Sequence, residues 1–404
     1  MRWQLAVMTV LGAGACGRSG ESRIASPGPR VAAAEPAGVV VTAGLDAAAA
    51  VTPGLVTPAP PPDPVRAATI ELAFTGDINV GGYYADHYDP QLVEVHDPLV
   101  EIDAALASDV TLANLETTIT RTLPDHGQAH AGTGNQRFVT IPERIAILPR
   151  HHISTVTLAN NHQFDNARAG LVETPVILAE LGITSVGAAR ADGPPLAVET
   201  IVHAGWRIGI LAVTTKLNRR PAAGARPAIA FAEPSTLAAA LAPLVAAARV
   251  DHDLVLVEIH WGVQYAEAPE PWQISAAHAL VDAGADAVIG HHPHVLQAIE
   301  RYRGAVIAYS LGNFLFPNGT EPVRQTGVLH LTFAAGDAVP ACLAQVALDP
   351  AVTVRAPIYH PVPAVGADFA TVRDRFLALS GAAPIGTTWR TDGSRFVTDA
   401  ACPH

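Results

Sequence analysis

The stretch Gly290-His291-His292-Pro293-His294 directly follows an apolar run at residues 285–289. The run reads as a buried strand, and three imidazoles within four positions then stand at its end. Imidazole is the commonest protein ligand for transition metals, and a strand end holds side chains rigidly over a crevice. Working outward, the layout recurs. Residues 72–74 lead to Gly76-Asp77, 110–113 to Asn114-Leu115-Glu116, 156–159 to Asn160-Asn161-His162, and 254–259 to His260. Five apolar runs ending in nitrogen or oxygen donors predict an α/β fold whose strand ends gather around metal.

Further strands are expected at 197–202, 207–213, 306–309, 328–333, 343–348 and 353–359. Amphipathic helices are expected at 98–107, 142–149, 167–181, 234–249, 271–283 and 368–379. Several open with Pro, which a first helical turn tolerates. Strand and helix alternate in the first half, while strands dominate the last part. That order predicts a layered sandwich of mixed β-sheets instead of one doubly wound sheet.

Hydrophobic residues make up 49% of the 404, enough for a sizeable core. The formal net charge is −12, and no basic cluster offsets it, which argues against nucleic acid as a partner. The N-terminus reads as a secretory signal: Arg2 precedes an apolar stretch at residues 3–13 that is too short to span a bilayer. Ala13-Gly14-Ala15-Cys16 is the layout of a bacterial lipobox, with Cys16 as the lipidation site. Residues 1–16 are therefore expected to be a lipoprotein signal peptide. Residues 17–66, rich in Ala and Pro, form an extended tether, and 67–404 the folded domain. Export would leave Cys342 and Cys402 in an oxidising compartment where they are able to pair.

In extended chain, Asn114 and Glu116 share a face. Asp165, three residues beyond His162, is placed to orient that imidazole. Glu258 shares a face with His260, as a ligand neighbour or an ion-pair residue. His292 and His294 face one metal pair, with Pro293 restricting the turn and His291 supporting from behind. The candidate metal ligands are Asp77, Glu116, Asn161, His260, His292 and His294, and the candidate catalytic pair is His162 and Asp165. Around them Asn79, Asn114, Tyr265, His291, Ser310 and Asn313 are candidate substrate contacts, with a structural turn as the alternative for Ser310 and Asn313. Mixed nitrogen and oxygen donors without Cys suit two divalent ions, Mn, Zn or Fe, in an open catalytic centre.

Six blocks then carry a family resemblance: Phe74-Thr75-Gly76-Asp77, Asn114-Leu115-Glu116-Thr117, Leu158-Ala159-Asn160-Asn161-His162 with Asp165, His260-Trp261-Gly262 with Tyr265, the block from Gly284 to Gln297 around the three imidazoles, and Tyr309-Ser310-Leu311-Gly312-Asn313-Phe314. In this order, between about Thr69 and Pro317, the chain resembles the CapA family of capsule and poly-γ-glutamate biosynthesis proteins. The resemblance implies kinship with calcineurin-like metallophosphoesterases and hence a four-layer αββα sandwich with a dinuclear centre. It makes Asp77 the first-motif carboxylate, Glu116 the bridging carboxylate, Asn161 the amide ligand and His162 the acid that protonates a leaving group. His260 and one or both of His292 and His294 complete the set. The chain departs from the phosphoesterase pattern at Asn79, where Asp-x-His would place an imidazole. Glu116 replaces a Gly-Asp pair, and Gln264 stands where CapA proteins commonly carry Glu.

The implied protein is a surface-tethered, metal-dependent hydrolase or transferase of capsule, poly-γ-glutamate or cell-envelope metabolism. Its substrate would be an anionic polymer, peptide or phosphoester, its partners polyglutamate synthase components, and its membrane contact the N-terminal lipid. Two alternatives stand beside it: a non-catalytic accessory protein for polyglutamate synthesis or export, and a metal-dependent peptide epimerase.

Overall fold

The computed structural model describes residues 66–81, 96–122, 137–188, 194, 196–219, 228–317, 320–336, 341–355, 358–399 and 402. Cys16 and the expected tether up to residue 65 lie outside them, while its last residue, Arg66, pairs with Asp253 of the folded domain. The chain divides into units 1–60 and 61–404, and every described residue falls in the second.

The strands in chain order are β1 (Thr69–Ile78), β2 (Val110–Leu115), β3 (Thr118–Ile119), β4 (Val139–Thr140), β5 (Ile153–Thr157), β6 (Thr184–Val186), β7 (Glu199–His203), β8 (Trp206–Thr214) and β9 (Leu254–His260). They continue with β10 (Ala287–His291), β11 (Ile299–Tyr302), β12 (Ala305–Ala308), β13 (Asn313–Leu315), β14 (Gln325–Ala335), β15 (Ala341–Val354), β16 (His360–Pro363), β17 (Arg390–Asp392) and β18 (Arg395–Thr398). One sheet has the order β17-β18-β15-β14-β1-β2-β5-β6, with β13 beside β1 and β16 beside β15; the other runs β11-β12-β10-β9-β8-β7. Both are mixed. β1, β2, β5 and β6 are parallel, as are β8, β9, β10 and β12, while the remaining pairs of these sheets are antiparallel apart from β1 with β13.

Three hydrophobic clusters define four layers. Ile70, Leu72 and Phe74 of β1 and Leu112 of β2 pack against Ile208, Ile210, Leu256 and Ile289 of the other sheet. The opposite face of the first sheet, with Ala73, Ala113 and Val156, meets Leu106, Leu148, Ile177 and Leu178 from helical segments. The outer face of the second, with Val213, Val257 and Val288, is covered by Leu241 and Val245 of the helix Leu237–Asp251 and by Ala277 and Leu280 of the helix Pro271–Asp282. The αββα sandwich follows from strands apolar on both faces, which need cover on both sides.

Where expectation and structure differ, the backbone supplies the reason. The helix expected at 98–107 shrinks to Asp103–Leu106, because Ile102 N and Ala105 N bond three residues back, to Leu99 O and Ile102 O, in successive turns. The one expected at 142–149 breaks at Ala146 into Pro142–Ile145 and Ile147–Arg150. Conversely, the strand expected at 343–348 and the first two residues of the one expected at 353–359 join as β15, which runs through Pro350 and ends at Val354. Val346–Leu348 pair with β18 and Ala351–Val354 with β16, so the missing proline N–H falls where the outer partner changes.

Candidate metal centre

The centre sits at the C-terminal ends of the parallel strands of both sheets, the crevice where open α/β sheets bind ligands. β1 delivers Asp77, beside Asn114 of β2 and Asn313 of β13 in register. β9 and β10 deliver His260 opposite His291. The approach of the strands is tight enough to demand glycine. A Cβ at Gly76 would lie 2.0 Å from Gly312 O, and one at Gly290 2.0 Å from Tyr309 O. Past β10 the chain turns sharply. His292 and His294 both have positive φ, 96° and 59°, a conformation that costs an L-residue energy and is found where a site over-determines the backbone.

The six expected ligands converge. Asp77, Glu116 and His260 form one group whose donor atoms lie within 4.8 Å of one another, and Glu116, His292 and His294 form a second. Glu116 belongs to both. Its Oε1 lies 3.8 Å from His260 Nε2 and 3.9 Å from His294 Nε2. Asn161 Oδ1 is 2.8 Å from His260 Nε2, so the amide joins the set. All six are buried.

Supporting contacts hold these groups. Asn114 Nδ2 donates to Asp77 Oδ1 (2.8 Å), and Asn114 Oδ1 accepts from Asn160 Nδ2 (3.0 Å). His294 Nδ1 meets Asn313 Oδ1 at 2.8 Å and Asp77 Oδ2 at 3.1 Å. His291 lies between carboxylates, Nδ1 3.4 Å from Asp77 Oδ1 and Nε2 2.8 Å from Glu258 Oε2. Asp165 Oδ2 receives His162 Nδ1 at 2.6 Å and the backbone N–H of Phe138 at 2.7 Å. That fixes the ring so that His162 Nε2 faces the centre, 3.8 Å from Glu116 Oε1. Phe138 stacks on the same imidazole with ring centroids 4.0 Å apart.

The electrostatics follow from burial and these pairings. Burial alone would raise the Asp77 carboxyl, but hydrogen bonds and charge from His291 and His294 hold it well below its ordinary value. Glu116 is pushed well above its ordinary value by burial and then by the charges of Asp77 and Asp165. Burial, then the neighbouring His292, drives His260 well down; burial, then His294, takes His292 down to about 3. Burial opposes protonation of His291, yet Asp77 and Glu258 outweigh it and raise the ring to about 9. Neutral His260 and His292 are in the form that ligates metal.

Divalent cations fit this arrangement. Both carboxylate oxygens of Glu116 are buried without a hydrogen-bond partner, as is His292 Nδ1. A buried carboxylate in that condition is costly unless a cation neutralises it.

The candidate substrate contacts divide. Tyr265 is exposed at the rim, its ring 6.1 Å from that of His294. Asn79, Asn114, His291, Ser310 and Asn313 are buried behind the ligands. Asn79 Oδ1 accepts from Gly81 N (3.0 Å) and Ser310 Oγ from Gly312 N (3.2 Å), so both shape turns. Burial makes these five a supporting frame. Sequence reasoning missed Asn218, whose Oδ1 accepts from Asn161 Nδ2 (3.1 Å) and whose Nδ2 lies 3.3 Å from His162 Nε2. No apolar run ending in ligands points to it; a return of the chain from the end of β8 brings it there.

Comparison with known proteins places these observations. The family described as "Bacterial capsule synthesis protein PGA_cap" matches residues 71–318, which contain every residue of the centre. The PGA biosynthesis protein CapA of Bacillus subtilis (strain 168) is 31% identical over 264 residues, 65% of this chain and 67% of that protein. The capsule biosynthesis protein CapA of Bacillus anthracis is 32% identical over 193 residues, 46% of each chain. A "probable polyglutamine synthesis accessory protein" of Mycobacterium tuberculosis (strain ATCC 25618 / H37Rv) is 33% identical over 219 residues, 51% of this chain and 55% of that one. The chain thus spans about half the length of the latter two. Among solved structures, a hypothetical protein from Thermus thermophilus aligns with TM-score 0.37 and 17% identity, over 72% of this chain and 98% of that one. The 5'-nucleotidase precursor of the same organism aligns with TM-score 0.32 and 16% identity, over 77% and 58%.

Proposed function

Because the chain belongs to the bacterial capsule synthesis protein family, we propose that it is a metal-dependent hydrolase or transferase acting on an anionic polymer of the capsule or cell envelope. The observation that carries this reading is the carboxylate of Glu116, shared by two candidate ligand triads and unpartnered on both oxygens. Asp77, Glu116, Asn161, His260, His292 and His294 would hold two divalent ions, Mn, Zn or Fe. When bound, such ions activate water and stabilise negative charge developing on the substrate.

The chain's own residues supply positioning and proton transfer. Asp165 holds His162 by Nδ1, leaving Nε2 directed at the centre, where it donates a proton to the departing group. Asn218 steadies both His162 and Asn161 from one side. His291 and Asn313 lock Asp77 and His294 in place, the outer-layer support that ligands need. Full burial of Glu116 and Asp77 keeps water away from the charges that matter.

The test is a panel of phosphoester, amide and γ-linked polyglutamate substrates offered to the metal-loaded full chain. His162→Ala should cut turnover by about 10²–10⁴-fold with bound metal unchanged. No turnover of any class by the wild type would contradict the reading.

A second reading, a non-catalytic accessory role in polymer synthesis, is favoured by the likeness to the mycobacterial protein named as a probable polyglutamine synthesis accessory protein. Polymer output preserved when His162 and His294 are both replaced would support it.

We also propose export and tethering through Cys16, with residues 17–66 as spacer before the folded domain. A Cys342–Cys402 disulfide supports this, since such bonds persist in oxidising compartments. Among the described residues no helix is long and apolar enough to cross a membrane. Cys16→Ala should move the protein from the membrane fraction to the soluble one; an unchanged distribution would contradict the anchor.

A further inference from the structure

Lys216 is the only lysine in the chain; the other 24 of its 25 Lys and Arg residues are arginine. It stands two residues beyond β8, in a turn clamped to the metal centre. Thr214 pairs with His260 across β8 and β9, and Thr215 N donates to His260 O (2.9 Å). Lys216 N donates to the Thr214 hydroxyl (3.0 Å), which in turn donates to Lys216 O (2.8 Å). Asn218, two residues on, grips Asn161 and His162. The turn is therefore fixed against three residues of the centre.

Lys216 is half-buried, and among the described residues its ammonium has no carboxylate partner. A partly desolvated cation carried on a turn bonded to a site built for divalent ions is unfavourable unless an anion enters between them. Asp77 and Glu116 bring at most two negative charges, fewer than two divalent ions bring positive ones. Lysine, a compact point charge on a flexible stem, suits one oxyanion at a crowded centre better than the planar fork of arginine.

We propose that Lys216 receives a negatively charged oxygen of the substrate, from a carboxylate or a phosphate, at the edge of the metal centre. This rests on the metal-dependent reading above and names how that site recognises its substrate.

A single lysine makes the test clean. The metal-loaded full chain is treated with an amine-acylating reagent, alone, with inorganic phosphate, or with a γ-linked glutamate trimer. Acylation is read by mass spectrometry on the tryptic peptide 208–219, in which trypsin also cuts at Lys216 only when the amine is free. The expected result is at least a five-fold slowing of Lys216 acylation by one of the probes. Protection by phosphate identifies a phosphoester as the source of the anion, and protection by the trimer a polycarboxylate. In parallel, Lys216→Met should weaken binding of the protecting probe about ten-fold, a loss of about 1.4 kcal/mol, with metal content unchanged, and Lys216→Arg should recover part of it. Equal acylation rates with and without either probe, in protein carrying its metal, would overturn the assignment. Protein that takes up no metal would instead overturn the reading on which it rests, so the two failures are separable.

Discussion

Glu116 carries the conflict between stability and function at the scale of one residue. Its side chain is fully buried, and neither carboxylate oxygen has a hydrogen-bond partner. Selection for folding alone would put a hydrocarbon there. Glu116→Met should therefore raise the metal-free protein's unfolding free energy by about 1–3 kcal/mol and abolish metal uptake; denaturant unfolding and metal titration read the two effects. A variant less stable than wild type when both are metal-free would mean the carboxylate is satisfied some other way. Much at this scale was legible in the sequence, because Asp77, His260, His292 and His294 each end an apolar run, and strand geometry projects them into one crevice. Glu258 was legible as a face-mate of His260, yet its partner proved to be His291, one strand over. Alternation along a strand fixes a face, and register between strands fixes the neighbour. Lys216 and Asn218 lie on a turn without periodicity, so their approach to the centre depends on tertiary folding.

At the scale of elements, the site depends on how closely β10 and its neighbours approach. A Cβ at Gly290 would meet Tyr309 O at 2.0 Å and Trp261 Nε1 at 2.5 Å, whereas one at Gly381 meets nothing within 4 Å. Gly290→Ala should lower stability by about 1–3 kcal/mol or more, while Gly381→Ala stays near neutral. Urea midpoints of the two variants compare them directly, and equal midpoints would show that the backbones yield more easily than their packing implies. The strands nearest the centre were predictable from mostly apolar runs. Boundaries elsewhere were not. Pro350 reads as a strand stop, yet β15 passes through it because its outer partner changes there. The hairpin of β17 and β18 escaped notice because all three residues of β17 are polar and exposed, leaving no apolar alternation to detect there.

For the whole molecule, two sheets packed face to face with helices outside bring strand ends from both sheets to one crevice. The Cys342–Cys402 bond ties the edge of β15 to the chain 60 residues on. Its presence was open in the sequence, since pairing depends on a distance that spacing does not give. Cys342→Ser should cost about 4 kcal/mol by the loop it opens, read as a fall in unfolding temperature, and the same loss should follow reduction of the wild type. No change on reduction would contradict a structural bond. The fold's central consequence is the convergence of Asp77, Glu116, Asn161, His260, His292 and His294 in one crevice, where the proposed function has them hold cations. Elemental analysis of the purified full chain, after incubation with Mn or Zn and removal of free ion, tests that claim most directly. The account predicts two ions per chain in the wild type and loss of both with Glu116→Met; wild-type protein that retains none would contradict it.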